Sequence, residues 1–349
     1  MPQYAILVQP SANRVYSRNA ARLTRNELLA LDELLLDGRL RALGGPVERT
    51  MGGVPYLVVP VADPEPEDLR VLANLSSLFA LFELRDDGAL VPLDVERLDR
   101  YDDDLLTILK YVGKTNEQLT RLLLNLTAAA ATTREELLGS RLRVLDPMCG
   151  RGTTLNQALM YGWDAYGVDV DRRDVEAYTA FATRWLQDKR LKHRSASTRL
   201  RIAGKTLGRR TTFTLAADKD LFRAGDVQTL EITQGDTLDV DRTYRAGFFD
   251  VVVADAPYGI QHGSVTGPRT PSRAPGELLA DALPGWVTVL RRGGALGLSW
   301  NTKVLPRRDL VAMLVDAGLE PLDGEPFLDL SHRVDQAIER DVVVARKPR

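Results

Sequence analysis

Cysteine and histidine are scarce in this 349-residue chain, and each shortage excludes a kind of site. The single cysteine, Cys149, cannot form an intrachain disulfide, so a reducing, cytoplasmic setting is expected. Three histidines and one cysteine are too few for a typical zinc site, and we expect no metal. No apolar run approaches the roughly 20 residues that span a bilayer, and the first residues lack a signal-peptide pattern. We therefore expect no membrane contact.

Charge is nearly balanced overall, at −2, but it is distributed unevenly. The stretch from Arg184 to Arg210 holds ten Lys/Arg and one acid, whereas Asp63 to Asp104 holds thirteen acids and four arginines. A local basic stretch can bind phosphates even when the global pI is near 6. The alternative is that both stretches are solvated faces or a mobile loop.

The first hundred residues predict a small α+β unit within a soluble chain that is 44% hydrophobic and 27% charged. The predicted elements are a strand at Tyr4–Val8, a helix opened by a capping box at Thr24–Glu27 and ending near Leu36, a strand at Val54–Val61, a short helix from Pro64 and a strand at Leu78–Leu84. We place the domain boundary at 104, giving units 1–104 and 105–349.

From residue 105 onwards strands and helices alternate, which predicts a parallel sheet and an α/β fold class. The predicted helices are 116–130, 153–161, 175–185 and 308–317. The predicted strands are 142–145, 165–168, 230–232, 251–254 and 295–299, with a closing antiparallel pair near Phe327 and at 342–345. A basic insertion at about 186–228 is longer than a simple connection.

The strongest local pattern is Val144-Leu-Asp-Pro-Met-Cys-Gly-Arg-Gly152-Thr, a buried strand that ends in a carboxylate and a glycine loop before a helix. The glycines let the backbone approach a ligand. Asp146 can accept hydrogen bonds from an α-amino group, while the helix N-terminus favours the ligand's carboxylate. This suits the methionine half of S-adenosyl-L-methionine. A dinucleotide site is the nearest rival, but Leu155 replaces the third glycine of its motif.

Two later acids extend the predicted cofactor site. Asp169 follows the second strand and is the preferred residue for the ribose hydroxyls, with Asp171 as the alternative. Asp236, in the Gly-Asp after the next strand, is a candidate for the adenine amino group. Each acid alone is also typical of an ordinary turn or helix cap.

The second strong pattern is Phe249-Asp-Val-Val-Val-Ala-Asp255-Ala-Pro-Tyr258-Gly, an apolar strand that delivers an acid and an aromatic ring to the sheet edge. An aryl amine is a poor nucleophile because its lone pair is delocalised. Asp255 and a backbone carbonyl of the turn can accept the amine's two N–H groups, and Tyr258 can stack on an extruded base. A structural turn with Asp255 capping its own loop is the alternative.

Together these residues resemble the D-P-P-Y amino-methyltransferases, and in particular the guanosine-10 type tRNA guanosine-N2 methyltransferases, a UPF0020- and THUMP-associated group. Lys110-Tyr-Val-Gly-Lys-Thr115 is similar to its K-Y-x-G-x-T segment. Asp146-Pro-Met-Cys-Gly-Arg-Gly-Thr153 is similar to its cofactor loop, and Asp255-Ala-Pro-Tyr-Gly-Ile260 to its catalytic turn.

The resemblance implies a Rossmann-like, seven-stranded methyltransferase domain and a tRNA substrate. It implies catalytic roles for Asp255, Pro257 and Tyr258. The cofactor-binding residues it implies are Thr115, Asp146, Pro147, Cys149, Gly150, Gly152, Thr153, Asp169 and Asp236. A small activator subunit is a further expected partner.

The chain departs from that family in two places. Ala256 replaces the first proline of D-P-P-Y, which makes the turn less rigid. The amino-terminal unit is short and partly acidic, so we expect Arg199, Arg201, Arg209 and Arg210 to bind RNA phosphates instead. Trp185 is expected in the core, with base stacking as the alternative. Asn301 and residues 331–335 are possible substrate contacts.

Several other functions remain open from the sequence. The alternatives are methylation of ribosomal RNA, of DNA bases, of a protein glutamine or of a small-molecule amine, or a non-catalytic cofactor-binding relative.

Overall fold

The computed structural model describes residues 2–10, 14–108, 114–202, 205–257 and 275–349. The described chain forms two sheets, one from strands before residue 93 and one from strands after residue 142. No described helix is both long enough and apolar enough to span a membrane.

The amino-terminal sheet is antiparallel, with strand order β2-β3-β1-β4-β5. Its strands are β1 (Gln3–Val8), β2 (Val47–Met51), β3 (Val54–Pro60), β4 (Leu78–Leu84) and β5 (Leu90–Pro92). The helices of this part are α1 (Arg14–Leu35), α2 (Arg39–Ala42), α3 (Pro66–Ala73) and α4 (Asp104–Thr107).

The predicted capping box in this unit is wrong. Helix α1 begins ten residues before Thr24, whose hydroxyl donates to the carbonyl of Ala20 within the helix. Glu27 is fully buried and accepts hydrogen bonds from Ser76 and Asn125 instead of capping a helix end. The predicted strands at 4–8, 54–61 and 78–84 are confirmed as β1, β3 and β4.

The central sheet has the described strand order β13-β15-β12-β11-β6-β7-β10-β9-β8, with β14 paired to β15. Its first strands are β6 (Arg143–Asp146), β7 (Asp164–Asp169), β8 (Lys192–Ile202), β9 (Lys205–Ala216) and β10 (Gln228–Gln234). The remaining strands are β11 (Phe249–Asp255), β12 (Leu290–Asn301), β13 (Glu320–Pro321), β14 (His332–Arg333) and β15 (Glu339–Arg346).

Helices cover both faces of this sheet. They are α5 (Glu117–Ala131), α6 (Arg134–Gly139), α7 (Thr153–Met160), α8 (Arg172–Asp188), α9 (Lys219–Ala224), α10 (Val240–Thr243), α11 (Pro275–Val289), α12 (Arg307–Asp316) and α13 (Glu325–Leu328), with a short 3-10 helix at Thr237–Asp239. Strands β12, β11, β6, β7 and β10 are mutually parallel, so the α/β class and Rossmann-like arrangement are confirmed.

The central sheet is larger than the seven strands expected. The basic insertion forms the antiparallel hairpin β8–β9, which adds two strands beside β10. The apolar run near Phe327 is the short helix α13 rather than a strand, whereas the predicted strand at 342–345 is β15, antiparallel to β12.

One apolar core joins the two sheets. Helix α5 is buried along most of its length and packs against α1 on one side and against β11, β12 and β15 on the other. The division at residue 104 therefore stays a prediction, because the core runs through it without a break.

Candidate active site

Three parallel strands of the central sheet, β11, β6 and β7, each end in an acid at one edge, and the neighbouring strand β12 brings a serine there. In the order β12-β11-β6-β7, these residues are Ser299, Asp255, Asp146 and Asp169. The register pairs Asp255 with Ser299 and Asp146 with Gly167. Open α/β sheets bind ligands at this carboxyl edge, so it is the natural place to look for a site.

A cavity of about 290 Å³ lies at this edge, at the small end of the range for small-molecule sites. Seven of the predicted site residues line it: Thr115, Asp146, Cys149, Gly150, Thr153, Asp255 and Pro257. Gly152, Asp169, Pro147 and Asp236 are described but do not belong to its lining. One cavity thus combines residues of the predicted cofactor loop with residues of the predicted catalytic turn.

Asp146 is the deepest acid of the cavity, with 3% of its surface exposed. Its Oδ1 accepts a hydrogen bond from the backbone N–H of Met148 at 3.1 Å. Burial, reinforced by the charges of Asp169 and Asp255, raises the pKa of Asp146 from its ordinary 3.8 to about 7. A cationic ligand would remove this penalty, which makes an ammonium group the chemically matched partner.

The glycine loop after Asp146 has a tight geometry that excludes side chains. Gly152 has φ +77° at the start of α7, and a Cβ there would lie 2.4 Å from the ring of Tyr178. The backbone N–H of Cys149 donates to Val168 at 3.0 Å, and the Cys149 side chain is buried. Cys149 therefore contributes shape and anchors the loop to β7.

Asp169, the last residue of β7, and Asp171, two residues later, make different contacts. Asp169 accepts from the N–H of Gly150 at 2.7 Å and from that of Asp171 at 2.8 Å, so it holds the glycine loop. Burial raises its pKa. Asp171 is exposed and caps α8 through the N–H of Arg173. The contrast favours Asp169 as the ribose ligand, which stays a prediction.

Asp236 lies apart from the cavity. It is exposed and caps the 3-10 helix by accepting from the N–H of Leu238 at 3.0 Å. These contacts are those of an ordinary turn, so its predicted adenine contact gains no support from its placement.

Asp255 receives two side chains from outside its own strand. Thr115 donates its hydroxyl to Asp255 Oδ2 at 2.6 Å, just before the Asn116 cap that starts α5. Arg340 of β15 brings a guanidinium nitrogen to 3.9 Å from the same oxygen. Thr115 was predicted to bind cofactor, and its hydroxyl contacts the predicted catalytic acid as well as lining the cavity.

The substitution at Ala256 has a structural consequence. Its backbone N–H donates to the carbonyl of Ser299 at 2.8 Å, which continues the pairing of β11 with β12 by one residue. A proline cannot donate that bond. Pro257 is exposed at the cavity, and Tyr258 lies outside the described residues, as do Lys110–Gly113 of the predicted K-Y-x-G-x-T segment.

Ser299 is a cavity residue that sequence analysis missed. It is fully buried on β12, and its hydroxyl has no hydrogen-bond partner within the described part of the chain. A buried polar atom that faces a cavity without a partner is costly unless a ligand satisfies it. The sequence signal that could have revealed it is the pair of small residues, Gly297 and Ser299, within the otherwise apolar strand.

The predicted substrate arginines lie on the hairpin. The register aligns Asp169 with Gln234, Gln234 with Arg209, and Arg209 with Arg199, so the two arginines continue the row of residues that begins at Asp169. Arg199, Arg201 and Arg209 are exposed. At roughly 4.8 Å per strand, Arg209 lies about 20 Å from Asp255 along the sheet.

Arg210 points to the opposite face of the sheet. It is half-buried, lies 3.1 Å from Glu231 and covers the ring of Tyr244 at 5.2 Å. Its guanidinium is therefore engaged in packing rather than exposed beside the other arginines. Trp185 is 5% exposed and donates to Asp104, which confirms the core location and excludes base stacking.

Asn301, a further sequence candidate, is also engaged in packing. It is 2% exposed and donates to the carbonyl of Ala337 at 3.1 Å. Its side-chain oxygen accepts from the N–H groups of Lys303 and Glu339.

The described residues fit S-adenosylmethionine in their chemistry. Asp146 would hold its α-amino group, the first turn of α7 its carboxylate, and Asp169 its ribose. The hydroxyl of Ser299, which has no hydrogen-bond partner among the described residues, leaves the cavity with an unused polar group. When bound, this cofactor supplies an electrophilic methyl group on a sulfonium.

Comparison with known proteins gives one family match. Residues 111–282 match UPF0020, described as an RMKL-like methyltransferase domain. No curated protein shows a significant sequence match.

The fold is also similar to solved structures. One is 1,6-didemethyltoxoflavin-N1-methyltransferase of Burkholderia thailandensis with 1,6-didemethyltoxoflavin and S-adenosylhomocysteine (17% identity, 65% of this chain and 79% of that chain, TM-score 0.36). Others are a ribosomal protein L11 methylase of Lactobacillus delbrueckii subsp. bulgaricus (16%, 73% and 85%, 0.36) and an rRNA methylase of Streptococcus thermophilus (11%, 65% and 96%, 0.34). Similarities this weak carry no functional assignment.

The family match spans both the glycine loop after Asp146 and the turn at Asp255, which the fold places around one cavity. The chain therefore carries an S-adenosylmethionine-dependent methyltransferase domain similar to UPF0020.

Proposed function

We propose that the protein methylates the exocyclic N2 amine of guanosine in tRNA. The observation that carries this proposal is that Asp146 and Asp255 line the same cavity. The first acid suits the amino group of the methyl donor, and the second suits the N–H groups of an acceptor amine. The resemblance of the Asp255 turn to D-P-P-Y supports an amine on a nucleic-acid base.

Asp255 acts in this proposal as a hydrogen-bond acceptor for the target amine. Accepting an N–H keeps the amine oriented and turns its lone pair towards the methyl group. The hydroxyl of Thr115, 2.6 Å from Oδ2, fixes the carboxylate while this happens. Because the attack needs in-line alignment, most of the rate comes from positioning rather than from a tuned base.

The target base must reach the cavity from outside the sheet edge. A base within a duplex would have to be extruded, whereas a loop nucleotide is already accessible. Tyr258 is the expected stacking partner, and its role remains a proposal because it lies outside the described residues.

The hairpin supports a nucleic acid over a small molecule as substrate. Arg199 and Arg209 occupy the same row of the sheet as Asp169, roughly 20 to 25 Å from Asp255 at about 4.8 Å per strand. Cations on an edge strand also discourage aggregation, which is the competing explanation. A substrate that spans both the cavity and the hairpin must be a macromolecule, and phosphates at that distance suit RNA.

The proposal is tested by incubating the protein with radiolabelled S-adenosylmethionine and unmodified tRNA, ribosomal RNA or DNA, then identifying the labelled nucleoside. Labelled N2-methylguanosine in tRNA is expected, and D255A is the matched negative control. Label only in ribosomal RNA or DNA would contradict the substrate assignment. Absence of label despite cofactor binding would contradict unaided catalysis, and adding a candidate activator subunit would then test the expected partner.

A further inference from the structure

Arg340 is a buried cation beside the catalytic turn. It lies at the start of β15, opposite Asn301 of β12, and only 6% of its surface is exposed. Its guanidinium is 3.9 Å from Asp255 Oδ2. Burying a charge is expensive unless an opposite charge lies close, so this placement has a cost that the Asp255 carboxylate offsets.

Thr115 and Arg340 approach Asp255 from different parts of the chain. Thr115 precedes α5, whereas Arg340 belongs to the antiparallel strand added after β12. Both contacts fall on Oδ2 of the carboxylate. Two groups on one oxygen restrict rotation of the carboxylate plane, which is what an acceptor for an amine needs.

The amino-terminal unit supports Arg340 through His332. His332 pairs with Arg340 across β14 and β15, and burial together with Arg340 lowers the pKa of His332 to about 4, so the ring is neutral at pH 7. Its ring meets that of Tyr16 in α1 edge-on, with centroids 5.5 Å apart. The segment before it is held by Asn26 of α1, which donates to Asp329 Oδ2 at 2.8 Å.

We infer that Arg340 is a positioning residue that orients the Asp255 carboxylate for the acceptor amine, and that α1 supports it through His332. This inference rests on the proposed function. Among the described residues, Arg340 lies 3.9 Å from Asp255, and the charge of Asp255 also acts on Asp146 and on the neutral His332. Arg340 thus also balances Asp255, one of the three acids, with Asp146 and Asp174, that line the cavity.

The test is a double-mutant cycle of R340M and D255N, with R340K as the conservative variant. We expect R340M to lower kcat by about 10- to 100-fold while the Kd values for cofactor and tRNA change less than about twofold. R340K should recover part of the loss. In the D255N background R340M should have no further effect, because Arg340 acts through Asp255.

Arg346, at the other end of the same strand, provides the matched control. Its guanidinium donates to the carbonyl of Ala130 at 2.7 Å, far from the cavity. R346M should lower the melting temperature without changing kcat. If R346M lowers kcat as much as R340M, or if the effects of R340M and D255N multiply, the positioning role is overturned.

Thermal unfolding of the same variants tests the contact between Arg340 and Asp255 independently of catalysis. The decrease in melting temperature of R340M/D255N should be smaller than the sum of the decreases in the two single variants. Each single variant leaves one buried charge without its partner, whereas the double variant does not. Additive losses would overturn the contact. A wild-type protein without methyl transfer would instead overturn the proposed function, while the thermal cycle would still decide whether Arg340 supports Asp255.

Discussion

The acids at the middle of the central sheet are largely buried, whereas the arginines at its edge, which carry the opposite charge, are exposed to solvent. Asp146 is 3% exposed and Asp169 is half-buried, and burial raises the pKa of each. Arg199 and Arg209 are exposed on strands that belong to the same sheet and the same row. At about 4.8 Å per strand, Arg209 lies about 10 Å from Asp169 and about 20 Å from Asp255 along the sheet.

The difference shows how one sheet can serve two ligands. A buried carboxylate interacts strongly with a small cation because little water screens it. An exposed arginine interacts weakly with any single charge, but several together attract a polyanion and do so in a salt-dependent way. The central acids should therefore control cofactor binding and chemistry, and the hairpin should control RNA affinity.

The largest effect is expected at Asp255. D255A should reduce methyl transfer by about 10²- to 10⁴-fold, because the amine loses its acceptor, while cofactor affinity remains within about threefold. Single-turnover kinetics with radiolabelled cofactor would measure the first quantity and calorimetry the second. Equal transfer by D255A and wild type would contradict the assignment of this acid.

Asp146 should make cofactor binding depend on pH. Its pKa of about 7 means that affinity should fall by about tenfold per pH unit below 7, since only the carboxylate holds an ammonium. D146N should bind weakly at every pH from 5.5 to 7.5. Calorimetry across this range measures the cofactor affinity. A wild-type affinity that does not change with pH would exclude Asp146 as the ammonium ligand.

The same shift has a consequence for the free energy of unfolding. A pKa raised in the folded state favours folding at low pH, so the contribution of Asp146 is complete below about pH 4 and is lost as pH rises through 7. Removing the carboxylate in D146N should abolish that part of the pH dependence of stability in the cofactor-free protein.

The hairpin should affect RNA affinity alone. R199A/R209A should raise the Kd for tRNA by about tenfold at low salt and make the dependence of log K on log salt shallower by roughly 1 to 2. R210A is the matched control, because Arg210 faces Glu231 and Tyr244 on the other side of the sheet. Filter binding at several salt concentrations would measure this slope. Equal slopes for the wild type, R199A/R209A and R210A would contradict the phosphate-binding role of Arg199 and Arg209.

The smallest effect is expected at Ala256. Introducing the first proline of the D-P-P-Y motif in A256P removes the N–H that donates to Ser299, so it should lower the free energy of unfolding by about 1 to 3 kcal/mol instead of stiffening the turn. Chemical denaturation measures this, with A256G, which retains the N–H, as control. If A256P were more stable than the wild type, the hydrogen bond from Ala256 to Ser299 would not stabilise the fold.

Much of the central sheet could be predicted from the sequence because buried parallel strands leave uniform apolar runs. The strand ending in Asp146, the loop at Gly150–Gly152 and the strand ending in Asp255 were all recognisable. The site could be assembled because the carboxyl ends of parallel strands meet at one edge. Seven predicted residues indeed share one cavity.

Other features depend on contacts that a linear pattern does not reveal. Glu27 looks like a capping residue, but its partners Ser76 and Asn125 are 49 and 98 positions away. The hairpin strands are rich in Arg, Ser and Thr because β8 is an exposed edge, so they resemble a loop. No sequence motif identifies Arg340, because the fold alone brings this residue of β15 close to Asp255.

A crystal structure of the protein with S-adenosylhomocysteine would test the roles of the three acids. We expect the ligand's amino group to donate to Asp146, its ribose hydroxyls to contact Asp169, and its sulfur to face Asp255. A ligand bound away from these three acids, or bound in the reverse direction, would contradict the assignment of the cavity and the function built on it.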